Sequence, residues 1–495
     1  MTLPVDTVPL AAPGALPGPL DDAGRAGLLA TVRAAVARAR ELHRPVLASW
    51  AAPLGACDPV AVWSRARRGT PRSFLWQSAW DDGLVVALGT AQDLRGRGER
   101  RMASVRAAWA RTAAGTVTGG TAVAGLPSGE GPLAVGGFAF SPDLGHEQRR
   151  LPDALLWVPA LQIRAAGRGG PAELRLNATL LHDSDPDQVA DALGHLAERS
   201  LRGVPADGLV PVLPQPRAGT RSRVELPGAE EWKDLVRRAT GHIREGGFEK
   251  LVLARELRVT ATAPFDIPGA VGRLRESNPG TTVFAFDHEE HTFLGATPEY
   301  LVRVEDGTVH ALGLAGTAPR GATPEEDLAL ERDLVGSAKI QHEHDVVVRM
   351  LRDAVGRACA EVDVETPPSV VKLTNVQHLS TKVRGHLADG ADAGILDLVE
   401  LLHPTPALGG HPRRAALDWL AGHEGLDRSW YAGAVGWADA RGQGQFGVAI
   451  RSALVEGATA SLYAGCGLVA DSDPEAEYAE TVAKLRPMSN ALGIE

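Results

Sequence analysis

Lys250 interrupts the otherwise apolar run "EKLVLAR" (249–255). If that run is a strand, alternation puts Lys250 on the same face as Val252 and Ala254. Two environments suit such a lysine. At a strand edge its stem is buried and its ammonium reaches water. In a closed pocket, desolvation lowers a pKa that is about 10.4 for a free lysine, and the amine can then act as a base. Carboxylates recur on two helical stretches. In "SDPEAEYAET" (472–481), Ser472 or Asp473 can cap a helix and Pro474 suits its first turn. Glu477, Glu480 and Lys484 then share one helical face. On an exposed helix Glu480 and Lys484 would form an ordinary ion pair. Glu343 lies in "SAKIQHEHDVVVRML" (337–351), one turn from Lys339 and Val347. Its "HEH" is not the H-E-x-x-H zinc pattern. Carboxylates from two helices meeting over a pocket would instead suit Mg²⁺, which takes oxygen ligands and keeps several waters. "AGCG" (464–467), between a strand-like "SLY" and the acidic helix, is either a tight turn or a set of backbone donors for a carboxylate. "RGRGERR" (95–101) lacks the frame of a dinucleotide site, and no Walker A pattern is present.

These stretches occur in order with "FLGATPEYL" (293–301), "LAGTAPRG" (314–321), "LHPTPALGGHPR" (402–413), "YAGAVGW" (431–437), "VAIRSALV" (448–455) and "LYAGCGLV" (462–469). Together they closely resemble the chorismate-utilising enzymes, the family of isochorismate, anthranilate, aminodeoxychorismate and salicylate synthases. The resemblance is dense from about 225 to 490. "RSFLWQS" (72–78) and "GGFAFSP" (136–142) extend a looser likeness into the first half. It implies a single large α/β (α+β) fold with antiparallel sheets flanked by helices. Family members that use water keep a lysine at the place of Lys250, whereas those that use ammonia lack it. Ala407 matches the small residue of the isochorismate synthases, where anthranilate and salicylate synthases usually carry threonine. The isochorismate synthases are therefore the best fit. The resemblance makes Lys250 the base for water attacking C2 of chorismate, and Glu299 the acid for the departing C4 hydroxyl. It makes Glu343 and Glu480 direct Mg²⁺ ligands, with Glu477 acting through water. Arg451 and Tyr431 would bind the enolpyruvyl carboxylate, with backbone donors from Gly465 and Gly467. Lys484 would sit near the metal-bound carboxylate, and His378, Gly316 and Thr317 would line the pocket. Two departures stand out. Ile340 occupies a place where some relatives carry an acid, and Cys466 replaces the usual alanine of "AGAG". A salicylate synthase would use the same residues and then eliminate pyruvate. An anthranilate synthase is disfavoured by Lys250 and by the absence of an "LLES"-like motif. A non-catalytic relative is disfavoured by the intact Lys250, Glu299, Glu343 and Glu480.

The elements needed to position these residues can be read from periodicity. Helical spacing marks "RAGLLATVRAAVARARELHR" (25–44) and "GAEEWKDLVRRATGHIREGG" (228–247), and one long helix is predicted across 324–358. Strand-like runs separated by Gly, Pro and Asp fill most of the first 200 residues and the stretch after Lys250. The Pro- and Gly-rich stretch 203–223 reads as a linker. The expected division is a flexible leader over 1–24, a supporting α/β part over 25–222 and a catalytic part over 225–495. With 495 residues and 44% hydrophobic content, the chain can bury a large core. A net charge of −10 with interspersed signs argues against a nucleic-acid surface. Three cysteines, Cys57, Cys359 and Cys466, are too few and too separated for a disulfide framework or zinc cluster. No run approaches a membrane span. The expectation is a cytoplasmic monomer acting on a small molecule without an obligatory amidotransferase partner.

Overall fold

The computed structural model describes residues 20–127, 129–142, 150–204, 219–372, 376–388 and 393–494, without the side chains of Lys339 and Glu343. Among these residues two large, mainly antiparallel sheets form, one of 13 strands and one of ten. The chain does not complete one sheet before starting the other. The first sheet runs from Thr220–Leu226 through Lys250–Ala261, Thr459–Leu468, Ser452–Glu456, His291–Thr297 and Thr282–His288. It then continues into strands from the first half, beginning with Arg72–Gln77 and Gly83–Leu88. The second joins Thr308–Pro319, Tyr300–Glu305, Gly444–Val448 and Ala434–Ala438 to Ala134–Phe138 and Ala154–Val158 in the same way. Strands from both halves of the sequence are hydrogen-bonded neighbours.

Alternation along the strands decides which side chains fill which layer. Phe74 and Trp76 point into a core shared by the two sheets with Phe138, Phe286, Trp430 and Phe446. Leu75, between them in sequence, faces the opposite side. There a second core lies beneath the helices Asp22–Leu42, Ile267–Ser277 and Pro474–Leu492. Each large apolar side chain taken fully out of water contributes about 1.5–3 kcal/mol.

Three elements differ from expectation. The helix predicted across 324–358 is two, Pro324–Gly336 and Ala338–Val355. Ser337 breaks it: its backbone is extended, at φ −76° and ψ 112°, and its side chain accepts from Ile340 N, so a cap replaces helix continuation. The linker reading of 203–223 holds less far than expected, because Thr220–Leu226 is a strand paired with Glu256–Ala261. Residues 205–218, like the leader residues 1–19, lie outside the described residues. "AGCG" is not a tight turn. The strand Thr459–Leu468 runs through it, pairing Gly465 with Ala254, Cys466 with Leu253 and Gly467 with Val252. A Cβ on Gly465 would lie 2.9 Å from the Leu253 carbonyl oxygen and 3.1 Å from the Tyr431 hydroxyl, so close approach, not turning, requires glycine there.

Candidate active site

The chain passes between the two sheets repeatedly, and two of these crossings supply functional side chains. Pro298 and Glu299 connect His291–Thr297 of the first sheet to Tyr300–Glu305 of the second. Ala449, Ile450 and Arg451 connect Gly444–Val448 of the second to Ser452–Glu456 of the first. The crossings are tied to each other. Val448 N donates to Glu299 O (2.9 Å) and Ala296 N to Arg451 O (3.2 Å). Beside them opens a cavity of about 310 Å³. Lys250, Glu299, Arg451, Tyr431, Gly465, Gly467, Lys484, Ala407, His378, Gly316, Thr317, Glu477 and Glu480 all line it. Of the residues singled out in the sequence, only Glu343 is not placed by its side chain, which lies outside the described residues. Its backbone belongs to the helix Ala338–Val355, whose Ile340 does line the cavity.

Lys250 opens the strand Lys250–Ala261 and is 4% exposed; it is not a lysine with its charge in water. Glu299 is 7% exposed. Burial raises its carboxyl to about 7, against the opposing pull of Lys250, Lys484 and Arg451. At neutral pH a large share of Glu299 therefore keeps its proton. Arg451 adopts a left-handed backbone at φ 51°, and burial lowers the pKa of its guanidinium. Tyr431 stacks on Tyr463 with ring centroids 5.2 Å apart, and burial pushes its phenol well above the ordinary value. His378 is held near 3 by burial and by Arg451 and Lys484, so its ring is neutral. Its Nδ1 lies 3.3 Å from Gly316 O and 3.1 Å from Thr317 Oγ1. A carbonyl only accepts, so the contact to Gly316 places the proton on Nδ1. Gly316 has φ +74°, and a Cβ there would fall 2.3 Å from Ile340 Cγ2, which fixes how closely the helix Ala338–Val355 can approach.

The acidic side of the cavity comes from the helix Pro474–Leu492. Asp473 caps it, accepting from Ala476 N (2.9 Å), while Ser472 accepts from Val469 N (3.1 Å). Glu477 and Glu480 then face the cavity one turn apart. Burial raises Glu477. Burial also pushes Glu480 up, but the charge and hydrogen bond of Lys484, with the charge of Arg451, outweigh it and hold that carboxyl below its ordinary value. Lys484 pairs with Glu480 and donates to Gly465 O (3.0 Å), tying the helix to the glycine strand. Cationic groups and carboxylates thus line one cavity together.

A family model described as "chorismate binding enzyme" matches residues 34–493. The chain belongs to this family. It is 34% identical over 466 residues to the isochorismate synthase MenF of Bacillus subtilis, covering 93% of this chain and 96% of that protein. It is 36% identical over 476 residues to the salicylate biosynthesis isochorismate synthase of Pseudomonas aeruginosa, covering 94% of each. Among solved structures it resembles MenF, the menaquinone-specific isochorismate synthase of Escherichia coli, with a TM-score of 0.74 and 26% identity over 93% of this chain and 100% of that one. The expected family and its mixed α/β architecture with antiparallel sheets are therefore both present.

In this chorismate-binding enzyme the cavity also uses residues that the sequence did not single out for it. Ser472, legible in the sequence only as a helix cap, and Ser337, hidden inside the expected long helix, both reach the wall. Leu314, Ile450 and Tyr463 supply apolar and aromatic surface. The strands of Leu314 and Tyr463 could be read from alternation, but the face turned to the cavity could not, and Ile450 lies on a crossing between strands.

Proposed function

We propose that this enzyme is an isochorismate synthase. Chorismate and isochorismate are isomers: a water hydroxyl forms the new C2–O bond, the ring double bond shifts, and the C4–O bond breaks. The proton lost by the attacking water goes to Lys250, and Glu299 gives its proton to the departing hydroxyl, which leaves as water. The observation that carries this reading is the pairing of a buried lysine with a carboxyl raised to about 7 on the walls of one cavity. Acid and base of this kind each contribute about 10²–10⁴-fold. Arg451 and Tyr431 hold the enolpyruvyl carboxylate, where the guanidinium fork matches two oxygens. His378, neutral, adds a wall that does not compete for anions. The three unpaired, buried cysteines suit a reducing cytoplasm, and among the described residues no helix is long and apolar enough to cross a membrane. The relatives' names point to menaquinone or salicylate synthesis as the use of the product. Incubating purified protein with chorismate and resolving the products by chromatography tests the reading. Isochorismate alone is expected; salicylate with pyruvate would instead mean a salicylate synthase.

The donor set also fits Mg²⁺. Among the described residues Glu477 and Glu480 face the cavity together, and no group of three acids, histidines or cysteines is assembled. Two carboxylates suit a hard ion that keeps waters and takes its remaining oxygens from substrate. Glu480 and Glu477, with Glu343 from the facing helix, would hold it. When bound, it would supply a Lewis-acid grip on the ring carboxylate. Chelation with EDTA is expected to abolish turnover and Mg²⁺ to restore it. Glu480→Gln should lose on the order of 10²-fold in rate through misaligned substrate while its melting temperature stays near wild type. Full activity in rigorously metal-free protein would remove the metal from the mechanism.

Ala407 gives a test of specificity. It lines the cavity on the turn Thr405–Gly409. Ala407→Thr adds a methyl and a hydroxyl toward the ring, and isochorismate formation should fall by about an order of magnitude. Some pyruvate release should accompany the fall. Unchanged kinetics would show that this side chain does not face the ring.

A further inference from the structure

The strand of Lys250 has an unusual outer edge. On one side it pairs continuously with Thr459–Leu468. On the other, His411 and Gly410 pair with Lys250 and Leu251, and the strand Thr220–Leu226 pairs with residues from Glu256 onward. Among the described residues no strand covers Val252 to Arg255 on that edge. Buried backbone groups must nevertheless be satisfied. Here two side chains help to do it. Glu424 accepts from Ala254 N (2.8 Å), and Arg428 Nη2 donates to Val252 O (2.6 Å). The two are joined by a two-pronged ion pair, Arg428 Nε to Glu424 Oε2 (2.7 Å) and Nη2 to Oε1 (2.6 Å), with side chains 2% and 4% exposed. Arg428 Nη1 also donates to Leu408 O (2.9 Å), and Gly409 O accepts from Val252 N (3.2 Å). One guanidinium thus grips the Lys250 strand two residues from the lysine and the turn that carries Ala407.

We infer that the Glu424–Arg428 pair is a positioning device: it stands in for a missing strand and fixes the separation between Lys250 and the Ala407 turn across the cavity. The inference rests on the reading of Lys250 as the base. Neither Glu424 nor Arg428 lines the cavity, and both act only through the backbone they hold. The planar fork is essential, because a lysine ammonium has no rigid pair of prongs to span Val252 O, Leu408 O and Glu424 together.

Arg428→Lys keeps the buried charge. With folding verified by thermal melting, its kcat is expected to fall about 10–10²-fold, the scale of an approximately 1 Å misplacement. KM for chorismate should stay within about twofold, because Arg451 and Lys484, which meet its carboxylates, are anchored elsewhere, at Ala296 and Glu480. A general packing defect would not produce the decisive signature. Added to Lys250→Ala, Arg428→Lys should cost less than about twofold, since there is no longer a base to misplace. Glu424→Gln, which keeps an acceptor for Ala254 N, should show the same non-additivity with a smaller loss, and carries the test if Arg428→Lys does not fold. Equal losses in both backgrounds, or a raised KM with unchanged kcat, would overturn the positioning role alone. A fully active Lys250→Ala enzyme would overturn the base assignment and the positioning role with it.

Discussion

Lys250→Ala is expected to lower kcat for isochorismate formation by about 10²–10⁴-fold, the usual worth of a general base. The side chain is buried at the mouth of its strand and faces the same cavity as Glu299. The two nitrogen bases nearest to hand in the cavity are poor substitutes. His378 is neutral, but burial with Arg451 and Lys484 holds it near 3, which makes it a poor base, and Lys484 is engaged by Glu480 and Gly465. Chorismate KM should change little, because Arg451, Tyr431 and Lys484 still meet its carboxylates. The loss should therefore sit in kcat, the mark of an interaction made in the transition state and not in the ground state. Lys250→Gln extends the test. It should remain poor with water, yet high ammonia should yield a trace of amino product, because ammonia is a stronger nucleophile than water and attacks without first losing a proton to a base. A Lys250→Ala enzyme that forms isochorismate at near wild-type rate would return this lysine to a structural role.

Local patterns carried most of the candidate site, but not the reasons it comes together. "EKLVLAR" and "SDPEAEYAET" place Lys250, Glu477 and Glu480 on short stretches whose facing follows from period 2 or 3.6, while Glu299 of "ATPEYL" was legible only through the family resemblance; the cavity gathers all four. "AGCG" misled because glycine serves both turns and close approach, and only the neighbouring Leu253 carbonyl and Tyr431 hydroxyl decide between them. The helix break at Ser337 had a signal, a glycine followed by a cap-forming serine, but apolar periodicity continues across it and hides the break. The crossings at Pro298–Glu299 and Ala449–Arg451 have no local signature at all. A strand's sequence does not say which sheet it joins. Glu424 and Arg428 show the same limit more sharply. "HEGLDRSW" (423–430) has the composition of a solvated turn, and only the tertiary gap beside Val252 and Ala254 makes it a buried clasp.

Glu299 gives the second large effect and a pH signature. As the acid it must be protonated, and burial sets its carboxyl at about 7. The competent fraction falls as pH rises through that value, so log kcat/KM should descend above pH of about 7 toward a slope of minus one. Glu299→Gln retains size and a hydrogen-bond donor but has no proton to give, and should cost about 10²–10⁴-fold. The residual rate of the variant should lack the descending limb. Stability provides an independent control. The carboxyl ionises near 4.5 when unfolded and near 7 when folded, so between these values the folded state holds more protons. Folding stability from this group is then complete below about 4.5 and is lost as pH rises to about 7. Glu299→Gln removes that linkage, and the variant should melt no lower than wild type at pH 8 even as its turnover collapses. A variant that loses activity and stability together at pH 8 would mark Glu299 as a structural residue, and an unchanged pH profile would take the acid role from it.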